Sequence, residues 1–93
     1  MVEVLNRKKD AEELYNILIQ ELPRGKGYDS ISLGEDGLGW YIEIKKKRFS
    51  FTYSALFTIT KKYCGVRGEG LASALEKILN GHEKFKDYKL EVI

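Results

Sequence analysis

From Phe49 to Ile59 every odd-numbered residue is apolar or aromatic: Phe49, Phe51, Tyr53, Ala55, Phe57 and Ile59. The residues between them are Ser50, Thr52, Ser54, Leu56 and Thr58, with Thr60 following. A period of two held over this length fits a β-strand with one buried face, and Leu56 is its one exception. Just upstream, Trp40-Tyr41-Ile42-Glu43-Ile44 alternates in the even phase, and Lys45–Arg48 forms a charged tip between the two stretches. The pattern predicts an antiparallel hairpin, Leu38–Ile44 against Arg48–Ile59. Trp40, Ile42 and Ile44 share its core face with Phe49, Phe51 and Tyr53, while Glu43, Lys45, Ser50 and Thr52 face away.

The other elements attach to this hairpin. Ala11, Leu14, Tyr15, Leu18 and Leu22 fall at helical spacing, widened by Ile17, and predict a helix over Lys8–Leu22. Asn6 is its expected N-cap, Asp10, Glu12 and Glu13 suit its first turns, and Pro23 ends it. Val2-Glu3-Val4-Leu5 alternates and reads as an optional first strand. Pro23–Gly27 is a loop, Tyr28–Leu33 a strand and Gly34–Gly37 a turn, with Asp36-Gly37 suited to positive φ. Gly65–Gly70 is a glycine-rich bend. Leu71, Ala74, Leu75, Ile78 and Leu79 then mark a second amphipathic helix over Glu69–Leu79, with Gly81 suited to a left-handed stop. Glu83–Asp87 reads as a charged linker and Tyr88–Ile93 as a closing strand. The expected fold is α+β, a two-layer sandwich in the order (β)αβββαβ. Two helices cover one face of a mostly antiparallel sheet of three to five strands.

The 93 residues suit one small domain with a thin core. No apolar run is long enough to span a bilayer, and MVEVLNRKK lacks an apolar signal region, so the expected location is cytoplasmic. The single cysteine, Cys64, excludes an intrachain disulfide. The net charge of +2 conceals a segregation. Seven of the 16 basic residues (Lys45, Lys46, Lys47, Arg48, Lys61, Lys62 and Arg67) lie in segment 45–67, which holds none of the 14 acids. Such a segment in an otherwise acidic chain points to an anionic partner.

A second fold follows if Ser54 caps a helix from Ala55 to Cys64 with Gly65 as its stop. Leu56, Ile59 and Tyr63 would share a face of that helix. Thr58, Ile59 and Thr60 oppose it, because three adjacent β-branched residues lose rotamer freedom in a helix. In this alternative Gly65-Val66-Arg67-Gly68 is similar to the GxxG loop of KH domains, which clamps a nucleic-acid backbone. The resemblance covers Ser54 to Ile93, rests on two glycines around a basic residue, and implies the αββααβ order of type II KH domains. Lys47-Arg48-Phe49-Ser50-Phe51 resembles the strand motif of RRM domains, whose aromatics stack on bases. Alternation here assigns Phe49 and Phe51 to the core instead.

Few residues point to catalysis. His82 and Cys64 are 18 positions apart, with no CxxC, HxxxH or Asp-rich calcium loop, so no metal or cofactor is expected. Ser54 and Ser73 lack a nucleophile-elbow context, and no enzymatic activity is expected. Gly65, Gly68 and Gly70, opening onto a helix N-terminus beside Arg67, form a candidate anion-binding loop that matches no nucleotide-binding motif. The seven basic residues are the candidate phosphate contacts of a small nucleic-acid-binding or regulatory protein, for DNA or RNA at low sequence specificity. The alternative is an interaction module, homodimeric or docking onto an acidic protein. Lysines at a hairpin tip also discourage edge-to-edge aggregation. A strand from Arg48 to Lys61 spans about 45 Å, which separates the two basic clusters unless the strand bends or breaks.

Overall fold

The computed structural model describes residues 2–22, 28–35, 37, 39–48 and 50–93. The elements are α1 (Val2–Glu21), β1 (Ser30–Glu35), β2 (Trp40–Arg48), β3 (Phe51–Thr58), β4 (Tyr63–Arg67), α2 (Glu69–Asn80) and β5 (Lys89–Val92). The five strands lie in the sheet in their sequence order. The first three pairings are antiparallel, and β5 joins β4 in parallel after the α2 crossover. The fold is therefore α+β in the order αββββαβ, with both helices packed on the sheet.

The central pairing sets Ile42 opposite Phe57 and Ile44 opposite Ala55. On β4, Cys64 and Val66 continue the same two rows. All six are buried, and all belong to one hydrophobic cluster with both helices. From α1 come Ala11, Leu14 and Leu18, followed by Leu22 just past its end, and from α2 come Leu71, Ala72, Leu75, Ile78 and Leu79. These follow the stripes that the helical spacing marks out, except that Ala72 is buried in α2 while Ala74, Tyr15 and Ile17 are only partly buried. The core is thus a single layer between one sheet face and the two helices.

Several expectations are corrected. Val2–Leu5 is the first turn of α1 rather than a strand, so Asn6 lies inside the helix and does not cap it. Gly34 and Glu35 belong to β1, and Pro23–Gly27 and Phe49 lie outside the described residues. Lys45–Arg48 is not a tip: these residues are the last four of β2, paired with Ser54 to Phe51. Segment 55–64 is not a helix. It runs from the end of β3 through a turn into β4, a strand that the sequence reading takes for part of a glycine bend. This removes the KH-like order, because its GxxG loop must join two helices and Gly65-Val66-Arg67 is strand. Gly81 closes α2 at φ −81°, in the right-handed region rather than the left-handed one.

Phe51 is the clearest correction within the hairpin. It lies on the helix-facing side, as its parity demands, yet it is 43 % exposed, and Tyr53 is only half-buried. Their partners across the strand pair are Arg48 and Lys46, and of the two rings it is Tyr53 that packs against the core cluster. Phe51 and Tyr53 pack edge to face, with ring centroids 4.7 Å apart.

Segment 83–87 is more than a charged linker, because Phe85 within it is 1 % exposed and packs on Tyr88. Lys84 beside it reaches Asp10 at 2.8 Å and Glu13 at 2.6 Å on α1, and His82 meets Glu21. The two carboxylates hold the Lys84 ammonium above its ordinary range through these hydrogen bonds. A raised folded-state value stabilises the fold fully below the ordinary lysine range and loses that contribution as pH rises through the higher value. The groups are half exposed, so the pair is worth no more than an ordinary surface bridge.

Truncating Leu75, fully buried in α2, is expected to cost about 2–5 kcal/mol. Urea denaturation of Leu75→Ala measures it; an unchanged midpoint would remove α2 from the core.

Candidate nucleic-acid interface

Two helices on one side leave the other side of the sheet uncovered, which antiparallel sheets tolerate when that face is polar. The pairing registers assign its side chains to rows. One row runs Ser30, Lys45, Ser54, Arg67 across four strands. The next runs Ser32, Glu43, Leu56, Gly65, Glu91, and the third Gly34, Tyr41, Thr58, Tyr63, Lys89. Lys47, opposite Thr52, lies beyond the first row. Lys45, Lys47 and Arg67 are all exposed. Lys45 and Arg67 sit two strands apart, about 10 Å between backbones.

Local structure fixes this basic end. The Lys47 backbone N–H donates to Asp29 Oδ2 at 2.6 Å, and the Asp29 N–H donates to the Lys45 carbonyl at 2.8 Å. These bonds hold the end of β2 to the chain just before β1. Arg67 is the last residue of β4, and the bend after it needs Gly68, at φ +117°. A Cβ at Gly68 would also lie 2.9 Å from the Tyr53 ring, so the ring and the glycine backbone pack directly.

In the middle of the face both tyrosines lean outward. A Cβ on Gly34 would lie 2.6 Å from the Tyr41 hydroxyl, so Tyr41 lies over that glycine. Tyr63 donates its hydroxyl to Glu91 at 2.7 Å, and that hydrogen bond holds its pKa above the usual tyrosine value. Ile93 reaches over Gly65, whose hypothetical Cβ would come within 2.9 Å of Ile93 Cδ1. Between the tyrosines Leu56 remains 46 % exposed. Leu56, Tyr41, Glu43, Thr58 and Lys61 line a shallow groove of about 460 Å³.

Of the seven basic candidates, three are brought together: Lys45, Lys47 and Arg67. Lys46 points to the helix side and is half-buried, and Arg48 ends β2 opposite Phe51. Lys61 and Lys62 occupy the β3–β4 turn at the other end, about 20 Å along the strand. Lys62 is paired with Asp87 at 3.1 Å and takes φ +50°. The three glycines do not form one loop. Gly65 is inside β4, Gly68 bends the chain, and Gly70 lies in the first turn of α2. No side chain caps that helix.

Tyr41, Leu56 and Tyr63 carry no functional expectation from the sequence. Leu56 carried a signal, as the one apolar residue out of phase in the Phe49–Ile59 alternation.

Among the described residues no cluster of His, Cys, Asp and Glu is arranged to hold a metal ion. Nor is any helix among them long and apolar enough to cross a membrane. Cys64 is buried, and that burial pushes its thiol up to about 12. The chain matches no protein-family model, no curated protein and no solved structure.

Because the thiol and not the thiolate is present near neutrality, native Cys64 is expected to be inert to a thiol-specific disulfide reagent at about pH 8 and to react promptly in denaturant. Prompt reaction of the native protein would contradict the buried position.

Proposed function

We propose that the protein binds nucleic acid through the uncovered face of its sheet, without catalysis. The observation that carries this is the common row of Lys45 and Arg67, with Lys47 next to it on the same face. Three cations whose backbone positions the strands fix offer phosphate contacts from one face. The flanking Ser54 and Thr52 add neutral hydroxyl donors. Lys46 and Lys62 are excluded from this set, the first by the side of the sheet it occupies and the second by its bridge to Asp87. Lysines and an arginine held on strands meet backbone charge, so affinity is governed by salt more than by duplex sequence.

An interaction module is the second reading. β5 has only four residues and forms one edge of the sheet, and Val92 and Ile93 at its end are 51 % and 81 % exposed. A strand from another chain, including a second copy, adds to such an edge.

Fluorescence anisotropy with labelled oligonucleotides at several salt concentrations tests the first reading. Three contacts predict a log–log slope near −2 for a single strand, at about −0.7 per phosphate contact. Lys45→Glu combined with Arg67→Glu is expected to abolish binding with the melting temperature nearly unchanged, while Lys62→Gln leaves affinity as it was. Absence of binding at about 50 mM salt, where phosphate contacts are strongest, would refute the reading. Concentration-dependent self-association in its place would favour the β5 edge.

A further inference from the structure

The groove beside Leu56 lies along β3 between the basic row and Lys61, and Leu56 is two residues, about 7 Å, from Ser54 of that row, so a nucleotide whose phosphates rest on Lys45 and Arg67 can extend its base into it. We infer that this groove receives one base of a single-stranded nucleic acid, and that it prefers guanine. The inference rests on the nucleic-acid reading above and specifies its substrate.

Three observations carry it. Its apolar surface comes from Leu56, 46 % exposed, with Tyr41 on the neighbouring strand. Exposed apolar surface of this kind, flanked by cations, suits the face of an unstacked base, which duplex DNA does not present. Second, the volume of about 460 Å³ is in the range of small-molecule sites, so a single flat heterocycle fits. Third, Glu43 is the one carboxylate among the described residues that line the groove, directly across from Leu56. It is half-buried and has no hydrogen-bond or ion-pair partner among the described residues.

An ionised carboxylate only accepts hydrogen bonds, through two parallel oxygens. Guanine alone offers two adjacent N–H donors, the ring N1–H and the exocyclic N2–H, to match both oxygens. Cytosine and adenine offer an amine beside an acceptor nitrogen. Thymine and uracil offer one N–H between two carbonyls, which the carboxylate repels. The negative charge of Glu43 beside Leu56 disfavours a phosphate there, so the chain is oriented with phosphates on the basic row and a base in the groove.

The test compares an all-thymine oligonucleotide with one carrying a single central guanine, measured by anisotropy on the wild-type protein and on Glu43→Gln. The guanine oligonucleotide is expected to bind about tenfold tighter to the wild type, at the lower end of the discrimination given by a good bidentate pair. Glu43→Gln is expected to remove most of that preference, weakening the guanine oligonucleotide and strengthening the all-thymine one as the carboxylate's repulsion of the thymine carbonyls is lost. Equal, salt-dependent binding of both oligonucleotides by the wild type overturns the guanine site and leaves the nucleic-acid reading standing. Binding of neither overturns both. A preference that persists in Glu43→Gln, with the melting curve unchanged, assigns selectivity to another residue and also overturns the inference.

Discussion

Everything in this fold depends on the register between β2 and β3. Ile42 meets Phe57 and Ile44 meets Ala55, and the intervening Glu43 meets Leu56 on the opposite side. Side chains alternate along a strand, so a slip of one residue would exchange the two sets. It would drive Glu43 and Lys45 beneath the helices, among the apolar side chains of the core. Burial of an unpaired charge is far costlier than loss of any single packing contact here. The register is therefore defended by the charged residues of the open face as much as by the apolar residues of the covered one. Both neighbours inherit it, β1 through Ile31 opposite Ile44 and β4 through Cys64 opposite Phe57.

The same constraint produces the proposed binding surface. Holding Ile44 and Ala55 in the core obliges Lys45 and Ser54 to face outward as neighbours, and the pairing of Ser54 with Arg67 completes the row. Glycine positions shape what lies next to it. Gly34 and Gly65 leave room for Tyr41 and for Ile93 to lie low across the face. The result is a shallow apolar floor around Leu56 rather than a ridge of rings. Acidic residues are mostly elsewhere, several of them on α1, where Asp10, Glu13 and Glu21 tie down the segment before β5.

Much of this was legible in the sequence because periodicity reports directly on burial. The alternation of Phe49–Ile59 fixed the correct parity for β3, and the spacing from Leu71 to Leu79 located α2 and its buried stripe. The failures have local causes. Val2–Leu5 alternates by chance within a helix whose charged residues mask its start. Tyr63–Arg67 is short and has glycine at its centre, so it carries no strand period to detect. Periodicity also says which face a residue takes but not how far the covering layer extends, which is why Phe51 has the right side and the wrong exposure. The grouping of Lys45 with Arg67 is a fact of register across two strand pairs, 22 positions apart in the chain, and no linear pattern encodes it.

The central claim is that one face of the sheet is structural and the other functional. The most direct measurement is an amide chemical-shift titration of isotope-labelled protein with a short single-stranded oligonucleotide. The account predicts that the largest changes fall on Lys45, Lys47, Ser54, Leu56 and Arg67. Exposed helical residues such as Glu76 and Lys77, on the far side of the core, are expected to remain unmoved. Changes concentrated on α1 and α2, with the open face unaffected, would contradict it.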